Sequence, residues 1–333
     1  MNNKINFNKK TVLITGGAGF IGSNIAFYLQ EKYPQSNLVI FDCFRSEETF
    51  SNGNLKSFGH YKNLIGFEGE IICGNINSKS DLALLNAYKF DYIFHQAAIS
   101  DTRIYDQEIV IKTNVNSFYD ILEIAKKNNS SVVYASSAAT YGSMPSPQTI
   151  GKENPENPYG FSKFLMDQIA SRYCIKFPSI SIVGLRFFNV YGSREFYKRQ
   201  TASMIIQLGH QILSGQAPRL FEGSENIKRD FINISDVVQA NINACSPKKS
   251  GVYNIGTGSP RSFQDIADIL QKNLGTDLGT EYFVNPYKGY QLHTQADIRS
   301  SVENLDFKPM ISLEEGIRAY IPEIKSLYNQ DLS

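Results

Sequence analysis

The chain has 333 residues, 42% of them hydrophobic and 20% charged, and carries a formal net charge of +1. That length and balance fit a globular protein of one large domain or two modest ones. Neither half holds a basic tract for nucleic acid or an anionic membrane, and no apolar run approaches the ~18 residues of a membrane span.

Residues 1–10 are polar and lack the apolar core of a secretion signal. Cys43, Cys73, Cys174 and Cys245 lie far apart with no C-x-x-C spacing, and read as reduced, mostly buried cysteines of a cytoplasmic protein. His60, His95, His210 and His293 are equally scattered, so no metal site is expected.

In chain order, the first element is an apolar strand over 11–15, followed at once by Gly16-Gly17-Ala18-Gly19-Phe20-Ile21-Gly22 and a helix over 23–32. Glycines in a strand–turn–helix let the backbone turn tightly. They also let a pyrophosphate reach the helix N-terminus, where free N–H groups and the dipole favour anions. The second strand, 37–42, ends on Asp42, placed to hold the hydroxyls of an adenosine ribose. Read alone, Asp42 points to NAD. Arg45, three residues on, is placed to meet a 2′-phosphate and points to NADP, or is a solvated surface cation. A long polar connection over 44–69 separates this strand from the next, and its length marks it as a candidate functional loop.

Further strands are expected over 70–73, 91–95, 131–136 and 180–188, with a helix over 114–127 whose apolar positions recur at helical spacing. Alternating β and α segments imply an α/β fold: a doubly wound parallel sheet with helices on both faces. Tyr134-Ala135-Ser136-Ser137 closes the fifth strand, so Ser137 emerges at its carboxyl edge. Asn157-Pro158 then reads as an N-cap and first helical residue, placing Tyr159 in a first turn and Lys163 four residues on, on the same face. A phenol of pKa ~10 is a poor base at neutral pH, and a neighbouring cation favours its ionised form. A nucleotide cradle with an activated tyrosine suits hydride transfer to or from a carbinol. After Gly192 the rhythm changes to helices and loops, with a capped helix expected at Ser235-Asp236 and a strand and turn over 251–258. The division expected is a dinucleotide-binding domain over 1–192 plus about 230–255, and a smaller, discontinuous lobe over about 193–229 and 256–333.

The cradle, the strand-end Ser and Y-x-x-x-K, in this order, resemble the extended short-chain dehydrogenase/reductases. YASSAATYG at 134–142, RFFNVYG at 186–192, LFEGSENIKRDF at 220–231 and HTQAD at 293–297 resemble, more narrowly, the ADP-glyceromanno-heptose 6-epimerase family. The match runs from the cradle to about Asp297, and its most specific stretch is 220–231. The resemblance implies that Gly16, Gly19, Phe20, Ile21, Gly22, Asp42, Cys43, Arg45, Gln96, Ala97, Ala98, Ile99, Ser100, Asn114, Lys163, Val190 and Lys198 line the cofactor. Ser137, Asn189, Gln200, Gln207, Phe221, Glu222, Gly223, Ser224, Arg229 and Tyr290 would bind the sugar nucleotide. An Arg fork matches diphosphate oxygens, although Arg229 could instead pair with Asp230. The sequence departs from relatives at Thr49, where a basic residue is expected, and at Gln200 and Gln207, where a small hydroxyl residue and a His are expected.

The implied reaction inverts a carbinol at C6″ of an ADP-linked heptose through a ketone, using tightly held NADP, with NAD possible. In that family the product feeds the inner core of bacterial lipopolysaccharide, and the enzymes are cytoplasmic homo-oligomers. The carbonyl must turn between the two steps, so its oxygen occupies two places and each needs a proton-transfer group within ~3 Å. The resemblance assigns these roles to Tyr159 and Lys198, with Ser137 and Lys163 assisting; Lys198 could otherwise neutralise phosphate. Ala138 and Ala139 follow Ser137 where a dehydratase usually carries an acid, which argues against dehydration. Alternatives are an epimerase of a UDP-hexose or GDP-heptose, and, from another class, a non-catalytic cofactor sensor.

Overall fold

The computed structural model describes residues 5–286 and 291–330. Short β-branched and aromatic runs pair into a seven-stranded sheet: β1 (Thr11–Thr15), β2 (Asn37–Asp42), β3 (Glu70–Cys73), β4 (Tyr92–His95), β5 (Ser131–Ser137), β6 (Ile182–Phe187) and β11 (Gly251–Ile255). Its order is β11-β6-β5-β4-β1-β2-β3, and every pairing is parallel. A parallel sheet needs crossovers, and these cover both faces, so the central strands are buried on both sides. Strand order reverses between β1 and β4, where Thr15 lies opposite His95. A ligand crevice opens at such a point.

On one face, α1 (Phe20–Lys32) and α7 (Ile234–Asn243) bury Ile25, Leu29, Val237 and Ile242 in a core that also takes in Leu305 and Phe307. On the other face lie α2 (Lys79–Ala83), α3 (Gln107–Ile111), α4 (Ser117–Asn128) and α5 (Pro158–Lys176). There Leu82, Phe118, Ile121, Met166 and Ile169 pack on the sheet. Each such apolar side chain contributes roughly 1.5–3 kcal/mol on burial. A third core joins the amphipathic helices α6 (Met204–Leu213), α8 (Phe263–Leu274) and α10 (Leu313–Leu327) around Ile205, Leu208, Ile266, Leu270, Ile317 and Ile324. Ser262 and Ser312 start α8 and α10 with capping boxes to Asp265 and Glu315. Helix α9 (Arg299–Leu305) packs back on β11. Three two-stranded pairings complete the frame: β7 (Asn189–Tyr191) with β10 (Phe231–Asn233), β9 (Lys228–Arg229) with β12 (Arg261–Ser262), and β8 (Arg219–Phe221) with β13 (Glu281–Phe283).

Several local expectations are corrected. The helix expected from 114 begins as a π-helical turn, Lys112–Asn116, before α4. The cap of α7 is Asn233, which accepts from the Ser235 amide at 2.9 Å. Asp236 instead accepts from the Met310 and Ile311 amides, at 3.1 Å each. Of the cysteines expected to be mostly buried, only Cys245 is; Cys174 is half-buried, and Cys43 and Cys73 are exposed at the ends of β2 and β3. The 44–69 connection folds on itself through a Thr49–Leu55 bridge and a single 3-10 turn, Tyr61–Leu64. No helix among the described residues is long and apolar enough to cross a membrane.

Candidate active site

The turn between β1 and α1 is built by steric necessity. Gly16 has φ +68°, and a Cβ there would lie 2.6 Å from the Ala97 amide nitrogen. A Cβ on Gly22 would overlap the Gly16 carbonyl oxygen. Only glycine lets the turn close against the 96–100 loop, where the Gly16 amide donates to the Phe41 carbonyl at 2.9 Å and the Gly19 amide to the Gly16 carbonyl at 3.1 Å. Asp42 fixes the same turn: its carboxylate accepts from the Ala18 amide at 2.9 Å and the Phe44 amide at 2.8 Å, and burial raises its pKa. Cys43 follows at the rim, exposed.

Across the switch point, the 96–100 loop (Gln96, Ala97, Ala98, Ile99, Ser100) leaves β4. Gln96 donates to Asn241 at 3.2 Å, and its own amide oxygen is buried with no partner among the described residues. Asn114, in the π-helical turn, is wholly buried. Its amide group bridges the Ile99 N–H (2.8 Å), the Ile99 carbonyl (2.9 Å) and the Ser162 hydroxyl (2.9 Å). The residue expected to touch the cofactor is thus occupied in shaping the loop and tying it to α5.

Tyr159 and Lys163 share a face of α5, started by Asn157, whose side chain accepts from the Gly160 amide at 2.8 Å with Pro158 in the first turn. Both are buried. The Tyr159 phenol hydrogen-bonds Ser137, and burial raises its pKa above the ordinary tyrosine value. The expected depression by Lys163 is therefore corrected. The Lys163 ammonium lies 5.9 Å from the Tyr159 ring centroid and donates to the Ala135 carbonyl at 2.7 Å. Burial brings Lys163 down to about 8, with Asp167 working against the shift. Ser137 also accepts from the Ala139 amide at 3.1 Å, which starts the Ala138–Tyr141 turn.

Lys198 comes from the 3-10 turn Phe196–Thr201 and reaches the cradle, its ammonium 5.5 Å from the Phe20 ring centroid. Burial lowers its pKa, while Glu195 and Asp101 raise it. The next residue, Arg199, holds φ +53°, a strained backbone for a non-glycine residue. Arg45 points its guanidinium at the Tyr197 carbonyl, so the candidate 2′-phosphate ligand contacts the Lys198 turn. Ile21 and Val190 are partly buried and pack against the core of the α1 face.

On the lobe side, Asn189 opens β7 and donates its amide to the Asp230 carbonyl at 2.9 Å. Gln207 donates to the Ala202 carbonyl at 2.7 Å and reaches the Gln200 carbonyl at 3.5 Å, closing the end of the Lys198 turn. Phe221 packs edge-on against Phe283 at 5.0 Å, the Glu222 amide donates to the Phe283 carbonyl, and Gly223 takes φ +75°. Ser224 is buried with a hydroxyl that has no partner among the described residues. The Arg229 guanidinium donates to the Lys228 carbonyl (3.0 Å) and the Gln291 carbonyl (2.5 Å). Asp230 accepts instead from the amides of Thr257, Gly258 and Ala296 and the Thr257 hydroxyl, so it ties the chain leaving β11 to the segment at Ala296. Tyr290 lies outside the described residues.

Sequence reasoning missed a buried polar network beneath Ser137. Asp167 accepts from Tyr134 (2.8 Å), Ser136 (3.0 Å) and Arg186 (2.9 and 2.8 Å), and Arg186 also pairs with Glu153 at 2.6 Å. Asp167 sits four residues after Lys163, a helical spacing that could have placed it on the catalytic face. Also missed was His95, which shares a 2.7 Å hydrogen bond with Thr15 below the 96–100 loop.

A glycine turn on a helix N-terminus lies at the switch point, and a Ser–Tyr–Lys set lies at the end of β5 and the start of α5, which is the frame of a dinucleotide-dependent enzyme. Residues 12–256 match the NAD dependent epimerase/dehydratase family, and the chain belongs to it. Among solved structures it is similar to the ADP-L-glycero-D-manno-heptose-6-epimerase of Helicobacter pylori, at 46% identity and a TM-score of 0.89, covering 98% of this chain and 99% of that one. It is also similar to UDP-glucose 4-epimerase from Thermotoga maritima, solved with UDP-glucose (25% identity, TM-score 0.84, 95% and 99% covered). A third is UDP-glucuronic acid 4-epimerase from Bacillus cereus, solved as a mutant with a substrate analogue and NAD (26% identity, TM-score 0.81, 96% and 100% covered).

Proposed function

We propose that the chain interconverts the two C6″ epimers of an ADP-linked D-manno-heptose by transient oxidation to the ketone, with a nicotinamide dinucleotide phosphate held throughout. The observation that carries this reading is the 46% identity to the Helicobacter pylori heptose epimerase across 98% of the chain. The Gly16–Gly22 turn and the unpartnered Gln96 oxygen fit such a cofactor, one a cradle that a Cβ would fill and the other a buried acceptor without a donor. The bound nicotinamide supplies reversible acceptance of the C6″ hydrogen.

The chain's own residues do the rest. Asp42 keeps lone pairs beyond the two amides it accepts from, enough for the 3′-hydroxyl that the adenosine ribose of NADP retains. Tyr159, steadied by Ser137, handles the proton on the C6″ oxygen in one orientation, and Lys198 handles it in the other. Lys163 fixes the Tyr159 side through the Ala135 carbonyl. Arg45 is the ligand proposed for a 2′-phosphate, and Ser224, Phe221 and Arg229 for the ADP of the substrate. We further propose a lobe built from about 193–229 and 256–333, a homo-oligomeric state and a cytoplasmic location.

The test is epimerisation of ADP-heptose followed by NMR, with UDP-glucose as the competing substrate and mass spectrometry of the co-purified nucleotide. Conversion of ADP-heptose with NADP bound is expected. Conversion of UDP-glucose alone would overturn the assignment.

A further inference from the structure

The Lys198 turn is held by a side chain that would not itself touch the substrate. Glu195 is completely buried. Its carboxylate accepts from the Gly192 amide (3.1 Å), the Ser203 amide (2.7 Å) and the Ser203 hydroxyl (2.8 Å), while its backbone carbonyl accepts from the Lys198 amide at 2.9 Å. One carboxylate thus clamps both ends of the segment that presents Lys198. Resting on the reading of Lys198 as a proton-transfer group, we propose that Glu195 is the positioning residue that fixes Lys198 against the cradle.

A buried carboxylate is costly unless fully hydrogen-bonded, and a well-packed apolar group would often serve stability as well or better. From the core of α6, α8 and α10, the Tyr320 phenol faces Glu195, which helps burial to raise its pKa. The turn, however, must hold Arg199 at φ +53°, a state that costs on the order of 1–3 kcal/mol and persists only where the surroundings over-determine it. Other braces converge on the same segment. Asn24 of α1 donates to the Ser193 carbonyl at 2.9 Å, the Arg194 amide donates to Glu323 of α10 at 3.0 Å, and the Arg194 guanidinium donates to the Asn63 carbonyl at 2.7 Å. Tyr197 stacks on His60 at 3.9 Å with the rings parallel. The 44–69 connection therefore grips the outside of the turn while Glu195 grips its inside. The charged groups facing Lys198 are Glu195 and Asp101.

The experiment compares Glu195→Gln, Lys198→Met and the double variant in the full chain with its cofactor bound, measuring kcat and KM for ADP-heptose. Misplacing a catalytic group by about 1 Å costs up to about 10²-fold. Glu195→Gln should therefore lower kcat by about 10–100-fold, leaving KM and bound nucleotide unchanged, and should add nothing to Lys198→Met. Ser203→Ala keeps the charge but removes one donor, and carries the test if Glu195→Gln does not fold. It should lower kcat by a smaller factor, again absorbed in the Lys198→Met background. Losses that multiply in the double variants, or a KM that rises with the fall in kcat, would make Glu195 a merely structural residue and overturn the inference. Full activity in Lys198→Met would instead remove Lys198 from the mechanism, and the positioning role with it.

Discussion

His95 gives the chain an acid sensitivity that can be worked from its surroundings. Its ring is wholly enclosed and stacks on Phe118 at 5.6 Å, one nitrogen bonds Thr15 at 2.7 Å, and the other has no partner among the described residues. Protonation would create a charged donor with no acceptor, near the Lys163 ammonium. Burial first, and Lys163 second, bring its pKa from 6.5 down to about 3. The folded value lies below the unfolded one, so between those limits the unfolded chain binds the proton more readily. Stability from neutral His95 is fully present above about pH 6.5 and is lost as pH falls toward 3. At ~1.36 kcal/mol per unit the slope integrates to a ceiling of roughly 4–5 kcal/mol. Urea unfolding of the wild type and His95→Phe at pH 7, 6, 5 and 4 tests this. At pH 7 the variant should be less stable by about 1 kcal/mol for the lost Thr15 bond. The gap should close and then reverse as pH falls, because phenylalanine takes up no proton. Parallel stability curves from pH 7 to 4 would refute the reasoning.

Three further outcomes follow from the site. Tyr159→Phe should retain fold and nucleotide while epimerisation falls by about 10²–10⁴-fold; near-normal turnover in a coupled product assay would take Tyr159 out of the reaction. Arg45→Ala should weaken NADP more than NAD, since only NADP offers a 2′-phosphate to the guanidinium, and calorimetry with each dinucleotide measures the difference. Because Arg45 also holds the Tyr197 carbonyl, kcat should fall in the same variant even at saturating cofactor. Arg229→Ala should raise KM by about 10–100-fold through loss of a charge-assisted pair worth ~1.5–3 kcal/mol. A change confined to kcat would show that Arg229 acts on the transition state.

The sheet was legible because its signals are local. Each strand expected in the first half lies within two residues of the observed one, since β-branched runs bounded by turn residues carry their own boundaries. The cradle was legible for the same reason: Gly16 and Gly22 are required by contacts within one turn and its neighbouring loop. The Asn157 cap could be read because capping spans only three residues. The Asn233 cap was misread because Ser235 and Asp236 are equally good local candidates. What decides between them is the amides of Met310 and Ile311, far along the chain, which claim Asp236.

The same distinction governs the site. Motif spacing brought Ser137, Tyr159 and Lys163 together, but it expected Lys163 to lower the Tyr159 pKa, because sequence shows the cation on the same helical face and not the carbonyl that accepts its hydrogen bond. Lys163 and Ala135 meet across α5 and β5, and enclosure then raises the phenol. Asn114, expected at the cofactor, is bonded in the fold to the Ile99 backbone and Ser162. The 44–69 connection was noticed for its length, yet its work lies in contacts with residues 193–201, seen in the stack of His60 on Tyr197 and the bond from Arg194 to Asn63. Such contacts leave no periodicity. Two polar segments that brace each other read separately as solvated loops, and only their meeting shows that both shape the approach to Lys198.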